Sequence, residues 1–73
     1  MSEAVRKYQE LEQKHAEQRR RISWIESRMM QAATVEEFEQ YNTMMTAAEQ
    51  ELESMNYDLI RARRDAAAIG YTA

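Results

Sequence analysis

The residues best placed to do chemistry are Glu12 and His15, which stand three apart in Glu12-Gln13-Lys14-His15. On a helix that spacing puts both side chains on one face. Glu-x-x-His is the pair that carboxylate-bridged di-metal sites take from helices of a four-helix bundle. Such a site also needs inward carboxylates from the remaining helices. The acids at the matching height, Glu49, Glu51 and Glu53, fall outside the inward positions of the pattern described below. Met55 and Leu52 are the residues expected to face His15 and Gln18. His15 is the single histidine, so no metal site is expected. His15 and Gln18 read instead as a polar layer in an apolar seam, fixing register or oligomeric state at some cost in stability.

No other constellation points to catalysis or to a cofactor. The chain has no Cys, and Ser23, Ser27 and Ser54 fall on polar faces. Gly70 stands alone, so no glycine-rich loop can cradle a phosphate. A non-enzymatic protein without cofactors is the expectation. The clusters Arg19-Arg20-Arg21 and Arg61-Ala62-Arg63-Arg64 raise the question of nucleic acid. Consecutive arginines on a helix spread around much of its circumference rather than forming one stripe. The stretch from Thr34 to Ile60 carries acids and no base, and the net charge is -3. A solvated, internally balanced surface fits better than phosphate binding, which remains the third reading and requires steep salt dependence. No apolar run approaches the roughly 20 residues of a membrane span. No secretory h-region opens the sequence, so no membrane role and a cytoplasmic location are expected.

The elements that would carry these residues are helices. There is no Pro and one Gly, and charged residues make up 32% of the chain, the profile of long helices and coiled coils. With Tyr8 at heptad position a, the inward positions are Ala4, Tyr8, Leu11, His15, Gln18, Ile22, Ile25, Met29 and Ala32. With Phe38 at a, a second seam runs through Tyr41, Met45, Ala48, Leu52, Met55, Leu59, Ala62, Ala66 and Ile69. This three-four periodicity means amphipathic helices with coiled-coil packing. Between the seams, Thr34 and Glu37 form a capping box, each side chain able to bond the other's backbone N–H. The spacing predicts helix one over about 3–32, a turn at about 33–36 and helix two over about 35–69. Gly70 suits a left-handed C′ position, with Tyr71 folding back behind it.

Flanking charges set the orientation. Lys7, Lys14, Arg21 and Arg28 fall at position g of helix one, and Glu51, Asp58 and Asp65 at g of helix two. Antiparallel packing sets g against g and pairs Lys7 with Asp65, Lys14 with Asp58 and Arg21 with Glu51, with Arg19 near Glu49 at the e positions. The same register puts Tyr8 near Ala62, Ile22 near Ala48 and Leu11 near Leu59. The expectation is a single all-α domain over 1–73, an antiparallel two-helix hairpin. A continuous helix through Thr34 is the alternative.

A hairpin buries one seam, yet large apolar residues lie off it. Trp24, Met44 and Ala47 share the flank of Arg21 and Arg28 near the turn; Ile60, Val5 and Tyr57 lie off the seam toward the termini. Isolated surface hydrophobes are normal, but Trp, Met and Arg are enriched at binding surfaces. The expectation is a protein-binding module, dimerising with itself into a four-helix bundle, with Trp24 as anchor rimmed by Arg20, Arg28 and Met44. A groove on a different protein is the other use. Small phage or plasmid accessory proteins that inhibit a host factor share this size and shape.

The stretch Phe38-Glu39-Gln40-Tyr41-Asn42-Thr43-Met44-Met45 resembles the start of the second helix in the small hairpin co-chaperones of type III secretion needle subunits. That resemblance implies a chaperone or scaffold subunit, stable only in a hetero-complex. The Pro expected near that turn is missing, and the resemblance assigns no functional residue.

Overall fold

The computed structural model describes residues 2–71. Two helices, α1 (Glu3–Met30) and α2 (Val35–Ala68), pack along one another as a hairpin of 52 × 15 × 14 Å. Ser2 caps α1, its hydroxyl accepting from the Val5 N–H at 3.2 Å. Thr34 caps α2, and its Oγ1 accepts from the Glu37 N–H at 3.1 Å. The returning bond of the box differs from the expected one. The Glu37 carboxylate accepts from the Ala33 N–H at 3.0 Å rather than from Thr34, which ties the turn to α2 one residue earlier.

That turn also shortens the first helix, which ends at Met30 rather than Ala32. The Gln31 and Ala32 N–H groups reach only three residues back, to the carbonyls of Arg28 and Met29, each at 3.2 Å. This tightened last turn uses carbonyls a longer helix would have bonded. At the far end Gly70 takes φ 92°, and its N–H bonds the Ala67 carbonyl at 3.0 Å. The Tyr71 N–H bonds the Ala66 carbonyl at 3.1 Å, completing a Schellman closure. The closure lays the Tyr71 ring edge-on against Tyr8, with centroids 5.9 Å apart.

The core is narrow. Among the described residues Tyr8, Ile25, Ala48, Ala62 and Ala66 are its buried apolar residues, and Ile25 is the one large side chain fully enclosed. The alanines of α2 leave room for larger side chains of α1. Tyr8 sits against Ala62 and Ala66, with Val5, Leu11, Leu59 and Tyr71 packed around them. Every inward position expected on α1 is buried or half-buried, as are those of α2 from Tyr41 to Ala66. The ends depart: Phe38 is 46% and Ile69 57% exposed. Phe38 lies opposite Ala32, beyond the end of α1, so no helix covers it.

The expected ion pairs between helices are absent. The one ion pair among the described residues joins Arg61 to Asp58 within α2 at 2.7 Å. Asp58 is thereby engaged by its own helix, and Glu51 accepts from Gln18. For exposed pairs the Coulomb gain in water barely offsets the entropy of fixing two long side chains. Lys7 still lines one shallow hollow with Asp58 and Asp65, so the opposed rows remain near each other without contact pairs.

Candidate protein-binding surface

Trp24 and Arg28 stand one helical turn apart on α1, close to the turn of the hairpin. The Arg28 guanidinium carbon lies 5.9 Å from the Trp24 ring centre and 5.9 Å from that of Tyr41. Its Nε donates to the Tyr41 hydroxyl at 3.3 Å. The two aromatic rings meet edge-on, with centroids 6.3 Å apart and planes at 80°. An arginine shared by two aromatic faces gains from the ring quadrupoles, which favours the observed ring orientations. The hydrogen bond that Arg28 donates to Tyr41, then the charge interaction with Tyr41, and to a lesser degree Glu37, raise the Arg28 pKa above its ordinary value. The patch therefore carries a fixed positive charge at every accessible pH.

Trp24 remains 54% exposed within this arrangement. Arg28 and Tyr41 also line a hollow at the turn, together with Gln31, Ala32, Glu37 and Gln40. A projecting indole thus stands beside a small polar depression. Met44, 38% exposed, and the exposed Ala47 follow Tyr41 along the same side of α2 at three-residue steps. Arg20 does not join them. It lines a shallow depression with Ala16, Arg19 and Ser23, because position f points away from α2.

Tyr41 is the member that sequence reasoning misses as a surface residue. It belongs to the seam and is half-buried, but its hydroxyl extends to the flank. The signal was available: in the antiparallel register, position d of α2 lies beside position g of α1, where Arg28 stands. Around the turn, Met30 at 83%, Val35 at 74% and Phe38 at 46% exposure add apolar surface that the periodicity did not single out.

The polar layer takes a different form from the expected one. Gln18 is 6% exposed and donates to the Ala48 carbonyl at 3.0 Å and to Glu51 at 3.4 Å. His15 meets Asn56 Oδ1 at 2.6 Å, across the e flank. Of the second apolar group, Ile60 and Tyr57 are 64% and 65% exposed. Val5 instead packs on the Tyr8 cluster. Among the described residues no group of three or more His, Cys, Asp or Glu could hold a metal ion. No helix among them is long and apolar enough to cross a membrane. Comparison with protein-family models, curated proteins and solved structures finds no match.

Proposed function

We propose that this chain is a non-enzymatic protein-binding module, pairing with itself into a four-helix bundle and holding or occluding a partner protein. The observation that carries the reading is the Trp24–Arg28–Tyr41 cluster. A side chain as large as Trp24 stands more than half in water, yet it packs against both Arg28 and Tyr41. Preorganised aromatic and arginine side chains next to a depression are the composition of binding hot spots. Exposed Met44 beside them can adapt to an irregular partner.

The test is capture of partners from the source cell with the tagged chain and with Trp24→Ala, read by mass spectrometry. A protein retained by the parent and lost by Trp24→Ala supports the reading, because truncating an anchor costs about 2 kcal/mol or more. Circular dichroism must show equal helicity in both. Equal capture by the two chains refutes the anchor role.

The small core favours a second reading, that of a scaffold or chaperone subunit completed by a different protein. Among the described residues Ile25 is the one large side chain fully buried, and a chain of 73 residues with little core is marginal alone. Light scattering separates the readings. A well-folded dimer supports the first, and a monomer of low thermal stability supports the second.

A further inference from the structure

We propose that a second copy of this chain covers one defined flank of the hairpin, the side formed by positions a, e and b, with both turns at the same end of the bundle. The inference rests on the dimer reading above and adds which surface pairs and in which orientation.

The helix period places e and then b beside a, and g and then c beside d. In an antiparallel pair the a/e/b sides of both helices therefore share one flank, and the d/g/c sides share the other. Both flanks contribute to the seam, and they differ in charge rather than in burial. Position d supplies enclosed Gln18, Ile25, Ala48 and Ala62, and position a supplies enclosed Tyr8 and Ala66. Ile22, Met29, Met45 and Leu52 at a are covered only in part, as are Leu11, Tyr41 and Met55 at d. Phe38, also at a, is 46% exposed, and its flank continues into Ile60 at 64% and Met30 at 83%. The opposite flank holds the basic row from Lys7 to Arg28 and the acidic row from Glu51 to Asp65. Exposed Trp24 and Met44 lie among those charge rows, whereas the apolar residues of the a/e/b flank run from the turn nearly to the termini with fewer charges between them.

The area is the size a dimer needs. The chain exposes 5758 Å², about 1,000 Å² more than the ~4,700 Å² that surface scaling gives for a monomer of 8.7 kDa. A standard interface covers about 800 Å² on each partner. Burying the a/e/b flank against a copy of itself would bring the exposed area per chain into the ordinary range.

Charge selects the orientation. Arg19 lies at e midway along α1, and Glu49 and Glu53 lie at e and b midway along α2. The one ion pair among the described residues does not involve them. If α1 of one copy lies beside α2 of the other, with the turns together, Arg19 meets Glu49 and Glu53 of the second copy on both sides of the two-fold axis. Glu12 then falls near Asn56 and Ile60, and Glu26 near Asn42 and Thr46. With the turns at opposite ends, α2 lies beside α2. Glu49 and Glu53 then approach their own copies, and like charges in a seam oppose association. The first arrangement alone pairs the central charges.

The absence of cysteine makes the test direct. Ala33→Cys places one spin label on the exposed turn of each chain, and pulsed dipolar spectroscopy reads the separation. Turns together give a distance under about 30 Å, set by helix spacings of about 10 Å plus the reach of the labels. Turns apart give a distance close to the 52 Å length of the hairpin. Two exposed sites locate the flank without threatening the hairpin core: Ile60→Lys should raise the dimer dissociation constant by at least about 30-fold, the size of a hot-spot loss, and Ser54→Lys, at position c of the opposite flank, should leave it unchanged. A dimer with long label distances overturns the orientation, and one broken by Ser54→Lys but not by Ile60→Lys overturns the flank; the dimer reading survives both. A monomer at every concentration by light scattering overturns this inference and the dimer reading together, while leaving the Trp24 anchor role to its own capture test.

Discussion

Replacing Ile25 by Ala should remove a large part of the stability of this hairpin. Among the described residues Ile25 is the largest side chain with no exposure to solvent, and Ala48, the enclosed apolar residue of α2 closest to it in the register, cannot re-pack into the gap. Ile→Ala at such a site costs about 2–5 kcal/mol, the upper part applying where the surroundings cannot collapse. We take about 3–4 kcal/mol. At roughly 0.05–0.15 kcal/mol per residue, a chain of 73 residues has only about 4–11 kcal/mol in total. Urea unfolding followed by circular dichroism gives the result, since a slope near 1 kcal/mol/M turns the loss into a midpoint about 3 M lower. Ile25→Val should lower it by only about 1 M. The internal control is Ile22→Ala, one turn away and half-buried. At low protein concentration Ile22→Ala should cost clearly less than Ile25→Ala, and its cost should grow with concentration as a second copy covers the site. If the two isoleucines cost the same in dilute solution, the fuller enclosure of Ile25 within the hairpin is refuted.

The remaining predictions concern the ends and the polar layer. Thr34→Ala removes the hydroxyl that accepts from the Glu37 N–H and should destabilise by about 1 kcal/mol in the same urea assay; a change under a few tenths would show that the turn does not depend on its cap. Gly70→Ala meets no atom within 4 Å but must adopt φ 92°, so only backbone strain opposes it. Strain of about 1–2 kcal/mol should lower the melting temperature by roughly 5 °C or more, and an unchanged melting curve would contradict the left-handed closure. Gln18→Leu should keep or raise thermal stability, since an apolar side chain replaces a buried amide, while light scattering shows a mixture of assembly states. A single species identical to the parent would deny the layer its role in specificity.

The apolar periodicity made the helices and their seam legible, because burial in a hairpin follows position on the helix wheel. The capping box at Thr34 and Glu37 located the turn for the same kind of reason, both partners being local. What the sequence could not show depends on reach rather than period. The charge rows indicated the antiparallel direction, yet Lys7, Lys14 and Arg21 make no contact pair with the acids opposite. Solvent and chain entropy decide such exposed contacts, not spacing. Tyr41 escaped notice as a surface residue because a seam assignment treats a side chain as wholly inside. Its ring fills the seam while its hydroxyl reaches Arg28. Phe38 was misplaced in the opposite sense. Its periodicity is inward, but α1 ends at Met30, so the position has no opposing helix.

The contact of Tyr71 with Tyr8 has a consequence for how the hairpin forms and opens. Contacts beside the turn join residues close in sequence, and each step away from it closes a longer loop. The entropic cost of closure rises by only about 0.6 kcal/mol per doubling of loop length, so pairing that starts at the turn can zip toward the termini without a large barrier. Helix pairs with such local topology fold fast. The termini are then the last to join and would be the first to fray. Tyr71 lies at that last step, where the Schellman closure turns the chain back onto the first turns of α1. It acts as a latch on a zipper, setting how often the far end opens while contributing little to the rate at which the helices first meet.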